Sequence, residues 1–213
     1  GVYFSLADGR TYDYVRVADY VKFQNENCSK NISVNNGEIL DLGGMVFTKF
    51  GDHYALSLCY KNSEEIVVPS SVNGLPVTEI AVKAFFKNNS VKRIIIEDGI
   101  EQIWVSAFYE CQNLEYLYLP KSVKYNTQNE QNMGVSSISF ERCYNLKEIV
   151  VHADSPYFTS LDGNLYSKDM KELIVYAPKR EGKSFIVPAS VEKIATYAFA
   201  FAEVASVTLP NGL

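Results

Sequence analysis

The chain carries an internal repeat, and that repeat rules out most ways of folding 213 residues. Ile80, Ala84 and Phe85 recur 23 residues on as Ile103, Ala107 and Phe108. The match continues through Val91/Leu114, Ile94/Leu117 and Ile96/Leu119. A third copy lies 32 residues further, with Phe140, Cys143, Leu146, Ile149 and Val151. Its extra residues fall in the polar stretch 124–135. The last copy has Ile194, Ala198 and Phe199, then Val204, Val207 and Leu209.

A second element recurs between these, of the form apolar-x-apolar, often closed by Pro. Its copies are Ile66-Val67-Val68-Pro69, Ile94-Ile95-Ile96, Leu117-Tyr118-Leu119-Pro120, Ile149-Val150-Val151, Phe185-Ile186-Val187-Pro188 and Val207-Thr208-Leu209-Pro210. Their starts are 28, 23, 32, 36 and 22 residues apart. In a short strand residues i and i+2 share a face, so Leu117 and Leu119 point inward. The following Pro cannot donate to a ladder and ends the strand. The Ala-Phe pair reads as a short helical turn on the opposite side, its Phe filling the interior and its Ala allowing close approach. One such unit cannot bury its own apolar edge, whereas stacked units share one core. The expected architecture is a β-rich solenoid of six coils, with short parallel strands on one face and short helical turns opposite. At about 4.8 Å per coil the array is roughly 25–30 Å long before caps. It places Phe85, Phe108, Phe140 and Phe199 in a single buried column.

The pattern Ile-x-x-x-Ala-Phe-x-x-Cys-x-x-Leu-x-x-Ile-x-Leu-Pro, carried by residues 103–120, resembles the BspA-like (treponemal-type) leucine-rich repeat. The resemblance covers about residues 44–213. It implies a right-handed α/β leucine-rich-repeat solenoid and secretion or surface display, commonly in bacteria that live with hosts. It also implies binding of host or neighbouring-cell proteins. The family has no shared catalytic residues to carry over, so no enzyme is expected. The third repeat departs from the pattern by its long loop, and the one after it is enlarged.

Outside the repeat, residues 45–49 and 54–60 read as a hairpin turning at Gly51-Asp52, within a cap at 44–62. A second hairpin, 164–166 with 173–176 inside an insertion at 161–178, replaces the usual turn and explains the 36-residue spacing. Residues 1–43 form an unassigned flanking segment, in which the aromatic-rich stretch 12–23 reads as a strand or a short helix. The chain opens at Gly1 without Met, which reads as a processed or engineered product, so the absence of a targeting segment within it says little. It closes at Leu213, directly after a repeat strand, which leaves the array open to continue.

The net charge is −5 and no Lys/Arg run stands out, which argues against nucleic acid as a partner. No apolar run approaches the length of a membrane span. His53 and His152, the only histidines, lie far apart in a solenoid, and no catalytic motif is present. No catalytic residue, metal or cofactor is therefore expected. Cys111 and Cys143 share one repeat position and would be neighbours at about 5 Å, within disulfide range. That position reads as a small buried hydrophobe, so free thiols are expected; a Cys28–Cys59 bridge is the alternative in an oxidising compartment.

The expected function is recognition of a protein, host-surface or matrix, through the parallel sheet; the alternative is a structural spacer in a larger surface protein. The middle residues of the six strands are Val67, Ile95, Tyr118, Val150, Ile186 and Thr208, five of them apolar or aromatic. A solvated sheet face should be more polar. At roughly 50 Å² each, such a stripe approaches the size that marks an interaction surface. Tyr116 and His152 flank it. Trp104, the only Trp, stands where other copies have Ala81 and Ala195. It reads as an exposed or groove-lining contact residue, the alternative being packing against the next coil. The polar loop 125–134 is a further candidate for a functional face.

Overall fold

The computed structural model describes residues 3–5, 11–13, 33–34, 37–125 and 135–213. Loop residues 126–134, Cys28 and most of the stretch 12–23 fall outside these; Thr11–Asp13 pairs antiparallel with Tyr3–Ser5.

Four of the six anticipated strands form one parallel ladder, in the order Glu65–Val68, Arg93–Ile96, Tyr116–Leu119, Glu148–Val151. Register is set by the alternation of side chains. Ile66, Val68, Ile94, Ile96, Leu117, Leu119 and Ile149 are fully buried, so a slip of one residue would turn this whole set to solvent. The remaining two strands, Ser184–Ile186 and Ser206–Thr208, pair with each other in a separate parallel sheet. The expected six-strand ladder is thus broken after Glu148–Val151. The cause is the insertion, which is a three-stranded meander and not a single hairpin: Phe158–Leu161, Asn164–Ser167 and Glu172–Val175. It docks on the last ladder strand, where the Ile149 N–H donates to the Gly163 carbonyl at 2.9 Å.

A second parallel ladder runs behind the first. His53–Cys59 pairs with Leu75–Ile80, and that strand with Gln102–Ile103. On its other side His53–Cys59 forms the anticipated hairpin with Met45–Phe50, and Gly37–Asp41 extends the sheet. The same motif returns in the last coil, where Glu172–Val175 pairs parallel to Lys193–Ile194. The repeated Ile80, Ile103 and Ile194 therefore sit on short strands.

The expected helical turns are not helices. Among the described residues there is no α-helix, and one short 3-10 turn, Ser137–Phe140. Around the Ala-Phe pair every second N–H closes a tight turn: Ala84 to the Ala81 carbonyl, Phe86 to Lys83 and Asn88 to Phe85. The N–H groups between them reach the next coil, Phe85 to the Ala107 carbonyl at 2.8 Å and Lys87 to Tyr109 at 3.1 Å. The next coil repeats the scheme with Phe108 to Ser139 and Glu110 to Glu141. A helix would consume all these donors internally and leave nothing to join the coils. The arrangement forces Lys83, Lys87, Ser106, Glu110 and Arg142 to positive φ, between 57° and 63°.

The interior divides as the ladders do. Phe85, Phe108 and Phe140 stack with ring centroids 5.4 and 5.3 Å apart. Phe199 does not join them, contrary to expectation. It packs in a second core with Tyr176 and Phe185, at 5.0 and 6.0 Å. Cys59, Cys111 and Cys143 are free and buried, and burial pushes the thiols of Cys59 and Cys143 up to about 12. The Cys position is more than a hydrophobe, because its side chain donates to the previous coil. Cys111 Sγ reaches the Phe85 carbonyl and Cys143 Sγ the Phe108 carbonyl, each at 3.0 Å. Asn88, one repeat earlier, likewise donates to the Cys59 carbonyl at 3.1 Å.

Candidate functional surface

Because inward residues alternate with outward ones, the parallel ladder presents two complete rows to the outside. Strand register aligns Val67, Ile95, Tyr118 and Val150 as one row, and Glu65, Arg93, Tyr116 and Glu148 as the next. The first is apolar and aromatic, with Val67 40% exposed and the other three partly exposed. The second row is charged around one ring. Arg93 lies over the Tyr116 ring, Cζ to centroid 3.9 Å, while its Nε pairs with Glu65 at 3.2 Å. Such stacking holds a guanidinium in a defined pose at small entropic cost.

Beside these rows runs a third of alternating sign: Glu64, Lys92, Glu115 and Lys147. Lys92 meets Glu64 and Lys147 meets Glu115, both at 2.8 Å. Donating to Glu64 raises Lys92, and accepting from Lys147 lowers Glu115. These groups are solvent-exposed, so the pairs contribute little to stability and chiefly order the border of the face. The sequence held the signal for this row, since the four residues keep the spacing of the strands beside them.

The structure thus brings together Val67, Ile95, Tyr116, Tyr118 and Val150 out of the anticipated contact set. His152 follows the last of these strands, and its Nδ1 accepts from the Asp154 N–H at 3.1 Å. Ile186 is not in the row. It is 73% exposed, but on the separate pair beyond the meander.

Trp104 is corrected outright. It is 2% exposed and packs against Ala81 and Ala55 behind the second ladder. Its Nε1–H donates to Glu79 Oε2 at 2.9 Å, and Glu79 Oε1 lies 3.4 Å from His53 Nε2. The indole fills space that small residues leave in neighbouring coils, so the exposed reading fails and the packing reading holds. Among the described residues no group of three or more His, Cys, Asp or Glu could hold a metal ion. Among the same residues no helix is long and apolar enough to cross a membrane.

Stacked coils of this length, one short parallel strand apiece and a ring-bearing turn opposite, define a leucine-rich-repeat solenoid. The model of the BspA type leucine rich repeat region matches in six copies over residues 52–171 and 175–213, and the chain belongs to that family. Among solved structures, the T. pallidum leucine-rich-repeat protein is 23% identical with a TM-score of 0.54, covering 82% of this chain and 72% of that one. A leucine-rich-repeat protein from Eubacterium ventriosum is 14% identical with a TM-score of 0.48, covering 87% of this chain and 61% of that one. The pneumococcal vaccine antigen PcpA is 19% identical with a TM-score of 0.43, covering 84% and 66%. No curated protein matches the chain.

Proposed function

We propose that this chain is a protein-binding module of a bacterial surface or secreted protein, and that it docks its partner on the outward face of the four-strand ladder. The observation that carries this reading is the aligned row Val67–Ile95–Tyr118–Val150 beside Arg93 stacked on Tyr116. Aliphatic and aromatic anchors bordered by ordered charge are the composition of an interface centre and rim. The strands hold these side chains at fixed spacing, so little ordering cost remains on binding. Family membership and the bacterial origin of the similar structures support the surface setting. The mechanism is contact over an extended surface, with no bond made or broken.

The test is surface plasmon resonance against a panel of purified extracellular-matrix proteins and host receptor ectodomains. Ile95→Asp and Tyr118→Ala should each weaken a bound partner by tenfold or more, about 1.4 kcal/mol. Both residues point away from the core, so melting temperature should change little. Two folded variants that bind as tightly as the parent would remove the ladder face from consideration and favour a spacer role.

A further inference from the structure

Where the meander meets the last coil, separate segments line an open surface cleft of about 620 Å³. Its floor is built from committed polar groups. Tyr125 Oη donates to Glu172 Oε2 at 3.0 Å, and Lys193 Nζ donates to Glu172 Oε1 at 2.9 Å. The Glu172 side chain is largely buried. Lys171 Nζ meets Glu192 Oε1 at 2.8 Å across the neighbouring part of the wall. Burial and the Glu172 charge push the Tyr125 hydroxyl up to about 12, so it stays a donor at neutral pH.

The rim is different. Tyr157 stands 39% exposed with exposed Pro156 before it. No ring or cation stacks on Tyr157 among the described residues. Its backbone is nevertheless pinned, since its carbonyl accepts from the Lys168 N–H at 2.8 Å and its N–H donates to Ser155 Oγ at 3.4 Å. A fixed, uncovered aromatic face is a ready platform for a flat apolar surface. The charges around it balance, because Lys168, Lys171 and Lys193 are matched by Asp169, Glu172 and Glu192. With ammonium and carboxylate groups equal in number, the cleft carries no net charge to favour a phosphate, a polyanion or a cation. Its donors and acceptors lie close together, as a ligand rich in hydroxyl groups requires.

We infer that this cleft binds a neutral oligosaccharide, one sugar ring lying on Tyr157 and its hydroxyls exchanging water for the surrounding ammonium and carboxylate groups. The cleft shares no residue with the outward face of the ladder, so the two sites stand or fall separately.

Saturation-transfer NMR on the full chain tests it, with maltotriose, cellotriose, chitotriose and mannotriose as probes and a heparin tetrasaccharide as the charged control. At least one neutral trisaccharide should receive saturation, with a Kd in roughly the millimolar range. Tyr157→Ala should weaken that binding by about tenfold or more, while Tyr118→Ala leaves it unchanged. Tyr157 is a surface residue, and an unchanged circular dichroism melt confirms that its variant is folded. The inference is overturned if no neutral trisaccharide binds, if only the heparin fragment binds, or if binding survives Tyr157→Ala.

Discussion

Residues 65–151 and residues 158–213 are built from the same repeat but pack differently. In the first region the ring positions Phe85, Phe108 and Phe140 stack directly, and four strands share one register. In the second, Tyr176 takes the ring position: its N–H donates to the Ala198 carbonyl at 2.8 Å, as Phe85 donates to Ala107. Phe185 and Phe199 then pack around that ring in a separate core. Val207 and Leu209, at the positions of the buried Leu117 and Leu119, are 38% and 50% exposed. Coils add to a common interior only while their backbones return to the same place. The meander shifts that return, and a new core starts behind it.

The largest test of this contrast is ring removal. Phe108→Ala should cost about 3–5 kcal/mol by urea unfolding, because Phe108 touches rings in the coils on both sides. Phe199 is partly exposed, and Phe199→Ala should cost about half as much. Equal losses would mean that one core runs through the whole array. Next in size is the joint between the regions. Gly163 has φ +79°, and a Cβ there would sit 2.7 Å from the Lys147 carbonyl oxygen. Gly163→Ala should cost about 1–3 kcal/mol and split a single unfolding transition into two. A variant that unfolds in one sharp step, undiminished, would show that the meander is not what joins the regions.

Alkaline pH separates them again. The free buried thiols Cys59, Cys111 and Cys143 all lie in the first region or its hairpin, and burial raises all three. Cys59 and Cys143 move from 9.0 to about 12. In the second region burial moves Tyr166 from 10.0 to about 12. For each group the unfolded chain releases its proton first and so binds fewer protons than the folded chain. Stability therefore falls as pH rises, and is fully present below the unfolded value. The loss should begin near pH 9 in the first region and near pH 10 in the second, read by hydrogen exchange on residues of each core. Simultaneous loss would argue that the thiols are accessible in the folded chain.

Much of this was legible because burial and spacing are written in side-chain type. The inward Ile and Leu pairs, the hairpin before the first coil and the row Val67–Ile95–Tyr118–Val150 all follow from period two within strands and fixed spacing between them. The position of Ile186 was not legible, since the sequence gives the length of the insertion but not the path by which it returns. Trp104 was misread because a lone aromatic among alanines looks like an exception. Ala81 beside it in the preceding coil is the hollow that receives it, and Glu79 supplies the partner for its N–H. The cleft at Tyr157 had no sequence signature at all, because its walls come from separate segments that only the meander brings together.

The helical turns failed for a different reason, and the smallest prediction addresses it. Ile80, Ala84 and Phe85 have helical spacing, and side-chain pattern alone cannot say whether backbone donors close a helix or cross to a neighbour. Ser106 distinguishes the two. In a helix, glycine at this position would cost up to about 1 kcal/mol. In the observed turn Ser106 has φ +57°, a conformation that costs an L-residue roughly 1–2 kcal/mol and glycine almost nothing. Ser106→Gly should therefore raise stability, by about 0.5–1 kcal/mol once the greater freedom of the unfolded glycine is subtracted. The measurement is the shift in urea midpoint at constant m-value. A midpoint that falls would restore a helical turn to the first region and remove the cross-coil N–H ladder proposed to hold its rings in line.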